Sequence, residues 1–152
     1  MIEINNLTTV SINEEFLKKI SEKVLKRERQ EHLSYGRVPD LSIALVGQGR
    51  IRELNKKYRG KNRVTDVLSF PGNGLGEIVI CLREVKKNAK RFLPSQILPG
   101  KIWEGEAFEK ELTTCLIHGI LHLLGYDHEK NEAEAEQMKE KENYYLSHII
   151  RI

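Results

Sequence analysis

Three histidines in one short stretch of the chain have the spacing of metal ligands. His118, His122 and His128 follow the pattern His-x-x-x-His-x-x-x-x-x-His, with Gly125 between the second and the third. On a helix, His118 and His122 lie one turn apart and point the same way. Gly125 can end that helix in the left-handed conformation, so that the chain doubles back and brings His128 to the same ion. The stretch therefore predicts a metal centre built from three imidazoles.

The number of ligands indicates which kind of metal site this is. Three protein nitrogens leave the fourth tetrahedral position of zinc to water, which is the pattern of a catalytic site rather than a structural one. An open zinc site lowers the pKa of bound water to about 7 and so supplies a hydroxide nucleophile without a dedicated base. We therefore expect one Zn²⁺ per chain, held by His118, His122 and His128.

The spacing is that of the metzincin proteases, His-Glu-x-x-His-x-x-Gly-x-x-His, with one departure. Gly119 stands where those enzymes carry the glutamate that acts as general base. Its loss argues against peptide hydrolysis by the usual route. The spacing nevertheless keeps a metallohydrolase of another class, such as a peptidase, as an alternative.

Other side chains near the motif have two interpretations each. Imidazole ligands are oriented through their second ring nitrogen, and Asp127 and Glu111 are candidate carboxylates for that role. For Asp127, a turn in which the side chain caps its own backbone is an equal alternative. Cys115, three residues before His118, could instead be a fourth ligand. The metal would then be structural, and the protein would have a binding role without catalysis.

The chain has a formal net charge of +3, and its charged residues are unevenly distributed along the sequence. Residues 50–63 hold seven basic side chains against one acidic side chain, and residues 83–101 hold six more basic side chains. The segment after His128 is acidic instead. A basic region beside a metal centre suits a polyanionic substrate such as nucleic acid. The alternative is a set of solvated helix faces, and charge by itself favours that alternative.

Helices and strands mix along the chain without strict alternation, so the sequence predicts the α+β class, with a small mixed β-sheet flanked by helices. Weak alternation predicts an edge strand over residues 2–10, and further strands are predicted over residues 41–46, 64–70 and 77–82. Helical spacing predicts a first helix that ends near Lys26. It predicts four further helices over residues 50–58, 83–92, 106–124 and 130–146. The helix over 106–124 is apolar on most sides, as a central buried helix should be.

Local signals predict several element boundaries. Ser11 and Glu14 resemble a capping box at the start of the first helix. A turn is predicted at residues 47–49, and residues 34–40 should break the first helix. The Pro- and Gly-containing stretch over 93–105 is predicted to be irregular, with Trp103 holding it to the body of the protein.

The whole chain predicts a cytoplasmic protein without a membrane anchor. Its 152 residues suffice for one domain with a real hydrophobic core, so we expect a single domain over residues 1–152. No apolar run approaches the roughly 18 residues that cross a membrane, and the first residues do not resemble a secretion signal. Cys81 and Cys115 are isolated from each other, which suits reduced thiols in a cytoplasm.

Several motifs together resemble the YbeY family of bacterial endoribonucleases. The match includes the histidine stretch over residues 118–128, with its His-Gly-x-x-His version of the motif, and the segment TDVLSFP over residues 65–71. It also includes Leu54-Asn55-x-x-Tyr58-Arg59 and the strand over residues 76–81. The resemblance spans roughly residues 51–128, and the His-Gly-x-x-His segment is its most specific part.

The resemblance implies a zinc-dependent endoribonuclease that cuts single-stranded RNA, with a zincin-like relation between sheet and metal helix. It also implies late maturation of 16S ribosomal RNA and ribosome quality control, with the small subunit and its proteins as partners. His118, His122 and His128 would be metal ligands and catalytic. Arg59 would bind the substrate and stabilise charge on phosphate oxygens. Without the resemblance, Arg59 is better explained as a cation at a helix C-terminus. The alternative to this enzyme is a non-catalytic RNA- or ribosome-binding protein whose structural metal has Cys115 as a fourth ligand.

Overall fold

The structure is a computed structural model that describes residues 1–31, 39–90 and 105–149. Over these ranges, helices and strands mix without regular alternation, which confirms the predicted α+β class. The order is β1 (Ile2–Asn6), α1 (Glu14–Glu31), β2 (Leu41–Val46), α2 (Gln48–Arg59), β3 (Val67–Pro71), β4 (Gly76–Cys81), α3 (Leu82–Lys90), α4 (Glu106–Leu123) and α5 (Glu132–Ile149).

The strands form one mixed sheet in the order β1-β2-β4-β3. β1, β2 and β4 run parallel, whereas β3 pairs with β4 in the antiparallel direction. The short connection between β3 and β4 permits the antiparallel pair, and the helix between β1 and β2 permits the parallel one. β2 and β4 are the central strands and are buried along most of their length. The predicted small mixed sheet is confirmed, and β3 lies at one edge of it.

Helices cover both faces of the sheet, but unequally. The larger core joins α1, α3, α4 and α5 to one face, where Ile43 and Ile78 of the central strands contact this core. The smaller core joins Ile51 of α2 to Val79 and Leu68 on the other face. The alternation of Ile78 and Val79 between the two cores follows from the period of two along a strand. In the described part of the chain, no helix is both long and apolar enough to span a bilayer.

The first strand is shorter than predicted. It ends at Asn6 rather than near Val10, because the Asn6 side chain builds a tight turn. The Oδ1 atom of Asn6 accepts hydrogen bonds from the backbone N–H and the hydroxyl of Thr8, and Nδ2 donates to the carbonyl of Val10 at 2.8 Å. An asparagine that folds the backbone onto its own side chain stops strand pairing.

Two predicted helix starts are wrong. The backbone N–H of Phe16 donates to Oδ1 of Asn13 at 3.1 Å, so Asn13 caps α1 and the predicted capping box of Ser11 and Glu14 is not the cap. The predicted turn after β2 is the first turn of α2, because Gly47 is the N-cap and the helix begins at the next residue. The cap of α1 thus lies two residues later than predicted, whereas α2 begins two residues earlier than predicted.

The remaining boundaries differ from the prediction by a few residues. α1 continues to Glu31 rather than ending near Lys26, and α5 covers Glu132–Ile149 rather than residues 130–146. The predicted irregular segment over residues 93–105, including Trp103, and most of the predicted break over residues 34–40 lie outside the described residues.

α4 lies close to the sheet at Gly119. A Cβ atom at this position would lie 3.0 Å from Cγ2 and 3.1 Å from Cδ1 of Ile78, a fully buried residue of β4. From β3, the hydroxyl of Ser69 donates to the carbonyl of Gly119 at 3.2 Å. The absence of a side chain at residue 119 therefore sets the distance between α4 and the sheet.

Replacing Gly119→Ala should lower the free energy of unfolding by about 1 kcal/mol, because crowding of Ile78 outweighs the better helix propensity of alanine. Gly49→Ala is the matched control within a helix, since a Cβ there meets nothing within 4 Å. That substitution should be neutral or stabilising by up to about 1 kcal/mol. Urea denaturation of the two variants tests this, and equal stabilisation by both would show that the contact imposes no constraint.

Candidate metal centre

Three histidine rings converge at the C-terminal end of α4. The ring centroids of His118 and His122 lie 4.8 Å apart, those of His118 and His128 5.3 Å, and those of His122 and His128 5.0 Å. One nitrogen from each ring lies within 4.8 Å of the others, so the group could hold a metal ion. Zinc–nitrogen bonds of about 2.0 Å in a tetrahedron require nitrogens roughly 3.3 Å apart, which small ring rotations can supply.

The turn after α4 brings the third histidine to the other two. Gly125 has φ 103°, in the left-handed region, and its N–H donates to the carbonyl of His122 at 3.0 Å. The N–H of Tyr126 donates to the carbonyl of Leu121 at 3.1 Å. These two bonds form a Schellman motif, which reverses the chain direction at a helix end. Gly125 therefore has the role predicted for it, and the reversal places His128 opposite His118.

The three rings open into a cleft of about 680 Å³. His118 and His122 are half-buried and His128 is exposed, so one side of the ring cluster faces this space. The end of α2, β3 and the segment between α4 and α5 form its walls, with Asn55, Arg59, Lys61, Arg63, Thr65, Asp66, Ser69, Tyr126, Asp127, Glu129 and Lys130 among the lining residues. The cleft leaves room for a substrate beside a metal ion.

The environment of His122 keeps that ring neutral. Burial lowers its pKa below the ordinary histidine value, and the neighbouring His118 and His128 lower it further. The carboxylates of Asp127 and Glu129 act in the opposite direction and do not overcome these effects. Because a metal binds the neutral imidazole, His122 is ready to act as a ligand at neutral pH.

A carboxylate from α5 orients His118. Nδ1 of His118 forms a short hydrogen bond with Oε1 of Glu142, whose side chain is only 19% exposed. With Nδ1–H donating to the carboxylate, Nε2 is left to face a metal. The sequence analysis missed Glu142, because it lies 24 residues from its partner on a separate, acidic helix. The acidic segment after His128 was the one signal, and it does not single out a residue.

The two carboxylates proposed from sequence as histidine partners have other contacts. Oδ1 of Asp127 accepts the backbone N–H of Glu129 at 2.8 Å, so Asp127 caps a turn, which was its alternative interpretation. Glu111 lies in a separate group with Asp66 and Cys115. The structure thus assigns Asp127 to the turn after α4 and places Glu111 beside a buried thiol.

Cys115 does not join the histidines. Its Sγ lies 3.6 Å from Oδ2 of Asp66, to which the thiol donates. Burial raises the pKa of Cys115 well above its usual value, and the charges of Asp66 and Glu111 raise it further. Because the thiolate is the form that binds metal, a thiol held protonated in this way is a poor ligand. The arrangement disfavours Cys115 as a fourth ligand to a structural metal.

Arg59 forms part of the wall of the cleft that the histidines line. Its Nη2 donates to the carbonyl of Ser69 at 2.6 Å, and its guanidinium carbon lies 5.4 Å from the centroid of the Phe70 ring. α2 ends immediately afterwards, because Gly60 adopts the left-handed conformation of a helix C-cap. Ser69 also donates to Gly119, so one residue of β3 contacts both Arg59 and α4. The structure therefore places Arg59 and the three histidines in one cleft.

The fold and the site together define a zincin-like protein with a candidate metal centre. A helix with a histidine pair lies against a mixed sheet, as in the zincins, and a glycine turn returns a third histidine to form a candidate metal centre. The sequence profile of the family described as "Endoribonuclease YbeY" matches residues 3–150 of the chain. The chain therefore belongs to the YbeY family.

Individual relatives agree with this assignment. An "Endoribonuclease YbeY" of Thermodesulfovibrio yellowstonii is 44% identical over 117 residues, which cover 72% of this chain and 66% of the relative. Its counterpart of Petrotoga mobilis is 37% identical over 153 residues, covering 97% and 94%. The solution structure of TM1509 from Thermotoga maritima is similar with a TM-score of 0.61 at 36% identity, covering 96% of this chain and 87% of that one.

The contact of Glu142 with His118 predicts an effect on metal affinity. Glu142→Gln should weaken zinc binding about 10- to 100-fold, because the ligand ring loses the charge that orients it and makes it more basic. Glu140→Gln, on the exposed side of the same helix, is the matched control and should leave zinc affinity unchanged. Competition with a chromophoric chelator measures both, and equal affinities would show that the hydrogen bond does not support metal binding.

Proposed function

We propose that this protein is a zinc-dependent endoribonuclease that cuts single-stranded RNA, and that residues 1–152 act as one metallohydrolase domain. The observation that carries the proposal is the cleft in which three histidine rings and Arg59 come together. Membership of the YbeY family supports the same activity, since the relatives are named as endoribonucleases.

His118, His122 and His128 would hold the zinc ion. When bound, the ion would supply a Lewis acid and an activated water. Glu142 orients His118 through Nδ1, and the glycine turn holds His128 in place. These contacts orient His118 and bring His128 near the other two rings before an ion binds, which reduces the reorganisation that binding requires.

Arg59 would hold the phosphate group that is cut. One N–H group of its guanidinium donates to the carbonyl of Ser69, and the guanidinium carbon lies over the Phe70 ring. The remaining N–H donors can bind non-bridging oxygens, where negative charge increases during the reaction. The contact with Ser69 positions the side chain, so that little conformational entropy is lost when a phosphate binds.

The two alternatives receive less support. A peptidase would need a general base next to His118, but residue 119 is glycine and faces Ile78 with no room for a glutamate side chain. A non-catalytic protein with a structural metal would need a fourth ligand, and Cys115 is held as a thiol against Asp66.

The biological setting is part of the proposal. We infer a role in late maturation of 16S ribosomal RNA and in ribosome quality control, with the small subunit and its proteins as partners in the cytoplasm. Family membership and the basic surface of α2 support this setting. A ribosomal substrate would also explain why cations surround the cleft on its α2 side.

The metal ligands should be essential for RNA cleavage. His122→Ala should lower the rate on unstructured RNA at least about a hundredfold, because it removes the metal that supplies the activated water. His148→Ala, an exposed histidine at the end of α5 that does not line the cleft, is the control and should cut normally. Circular dichroism confirms folding of each variant. A normal rate with His122→Ala would mean that the activity came from a contaminant.

Arg59 should affect cleavage rather than metal binding. Arg59→Ala should lower cleavage by about 10²–10³, as expected for loss of a donor to the developing charge, with zinc affinity unchanged. Arg59→Lys should restore only part of the rate, because lysine keeps the charge but lacks the fork of donors. Parallel loss of zinc binding and activity in Arg59→Ala would identify the residue as structural instead.

A further inference from the structure

A second concave surface lies at the end of α2 that is distant from the metal centre. This distal groove, of about 660 Å³, lies between α3, the segment after β1 and the start of α2. Gln48 at the start of α2 lines the distal groove, whereas Arg59 at the end of α2 lines the metal cleft. A 12-residue helix spans about 18 Å, so α2 sets the separation of the two sites.

The distal groove is lined by cations from α3. They recur at intervals of three, four and seven residues, so they occupy one face of the helix, while Val85 and Ala89 on the other face are buried in the core. In the part of the chain that the structure describes, no acidic residue lines the groove. The cations are Arg83, Lys86, Lys87 and Lys90.

Two of these four cations are not paired with any acid that the structure describes. Glu84 is the neighbouring acid, and its carboxylate accepts from Nε2 of Gln48 at 2.9 Å and pairs with Nζ of Lys87 at 3.2 Å. Its side chain is only 16% exposed, so it contributes little negative surface. Arg83 and Lys90 are exposed and form no ion pair with any described residue. Cations facing one concavity repel each other, and an anion bound there would relieve that repulsion.

The metal cleft has a different balance of charge. Its lining includes four cations but also three carboxylates, those of Asp66, Asp127 and Glu129. Between the cleft and the distal groove, the exposed surface of α2 carries mainly basic side chains, and its one acid, Glu53, pairs with Arg50 at 3.5 Å. Positive surface therefore continues from the cleft along α2 to a groove that is more basic than the cleft.

We propose that the distal groove is a second RNA-binding surface, which holds the phosphate backbone of the strand several nucleotides away from the point of cleavage. The inference rests on the proposed function and adds a distal anchoring site for the same substrate. A cationic concavity without acids fits a polyanion, and the separation along α2 fits a strand that passes through both sites. Binding at two linked places raises the affinity only for an RNA long enough to reach both.

The test compares two double variants with equal loss of charge. Arg83→Ala with Lys90→Ala removes two cations from the distal groove. Lys19→Ala with Lys26→Ala is the matched control, because both residues are exposed on α1 and line neither the groove nor the cleft. The zinc-loaded proteins are assayed for cleavage of unstructured RNA of about 16 and about 4 nucleotides. Binding of the longer RNA, kept intact by chelating the metal, is measured by fluorescence anisotropy at several salt concentrations.

The groove variant should lose its preference for long RNA. The ratio of kcat/KM for long over short RNA should fall roughly tenfold near 0.1 M salt, and the slope of log affinity against log salt should become shallower by about 1.4, as for two lost phosphate contacts. The control variant should keep the wild-type ratio and slope. Unchanged values in the groove variant would overturn the proposal. If the unmodified protein cuts neither RNA, the proposed nuclease function fails instead, and the salt slope of binding still decides whether the groove holds RNA.

Discussion

The distance between α4 and the sheet is the constraint on which the candidate site depends. α4 approaches β4 at Gly119, where no side chain separates the helix from Ile78. Ser69 of β3 contacts both α4 and α2, because its hydroxyl donates to the carbonyl of Gly119 and its own carbonyl accepts from Arg59. Because packed interiors transmit small displacements, a larger residue at position 119 would move the histidine pair relative to Arg59. The glycine that replaces the metzincin glutamate is thus a packing requirement as well as a chemical difference.

The candidate metal centre depends on contacts between near neighbours in the sequence and on one contact between distant residues. The period of the helix aligns His118 with His122, and the glycine turn after α4 returns His128 to them. Glu142 on α5 sets the orientation of the His118 ring. This contact limits the rearrangement of His118, because its ring is held by a partner side chain.

The two concave surfaces differ in charge, and their proposed functions differ accordingly. The metal cleft combines cations with carboxylates, so its positive charge is partly balanced. The distal groove carries cations without carboxylates among its described lining residues. This charge suits binding of an RNA phosphate backbone without cleavage. The length of α2 separates the cleft from the distal groove, and its basic surface connects them.

Much of this protein follows from local sequence. The helix period, the glycine turn and the apolar strands predict the α+β class and the histidine helix, because these signals operate over a few neighbouring residues. The predicted helix starts at Ser11 and after residue 49 were wrong, and Asn13 and Gly47 are the caps instead. Several nearby residues could serve as caps, and packing selects among them. Tertiary structure alone decided that Glu142 meets His118 and that the face of α3 lines a groove. Those contacts join segments that are distant in sequence, and their formation depends on how the core brings the helices together rather than on any local preference.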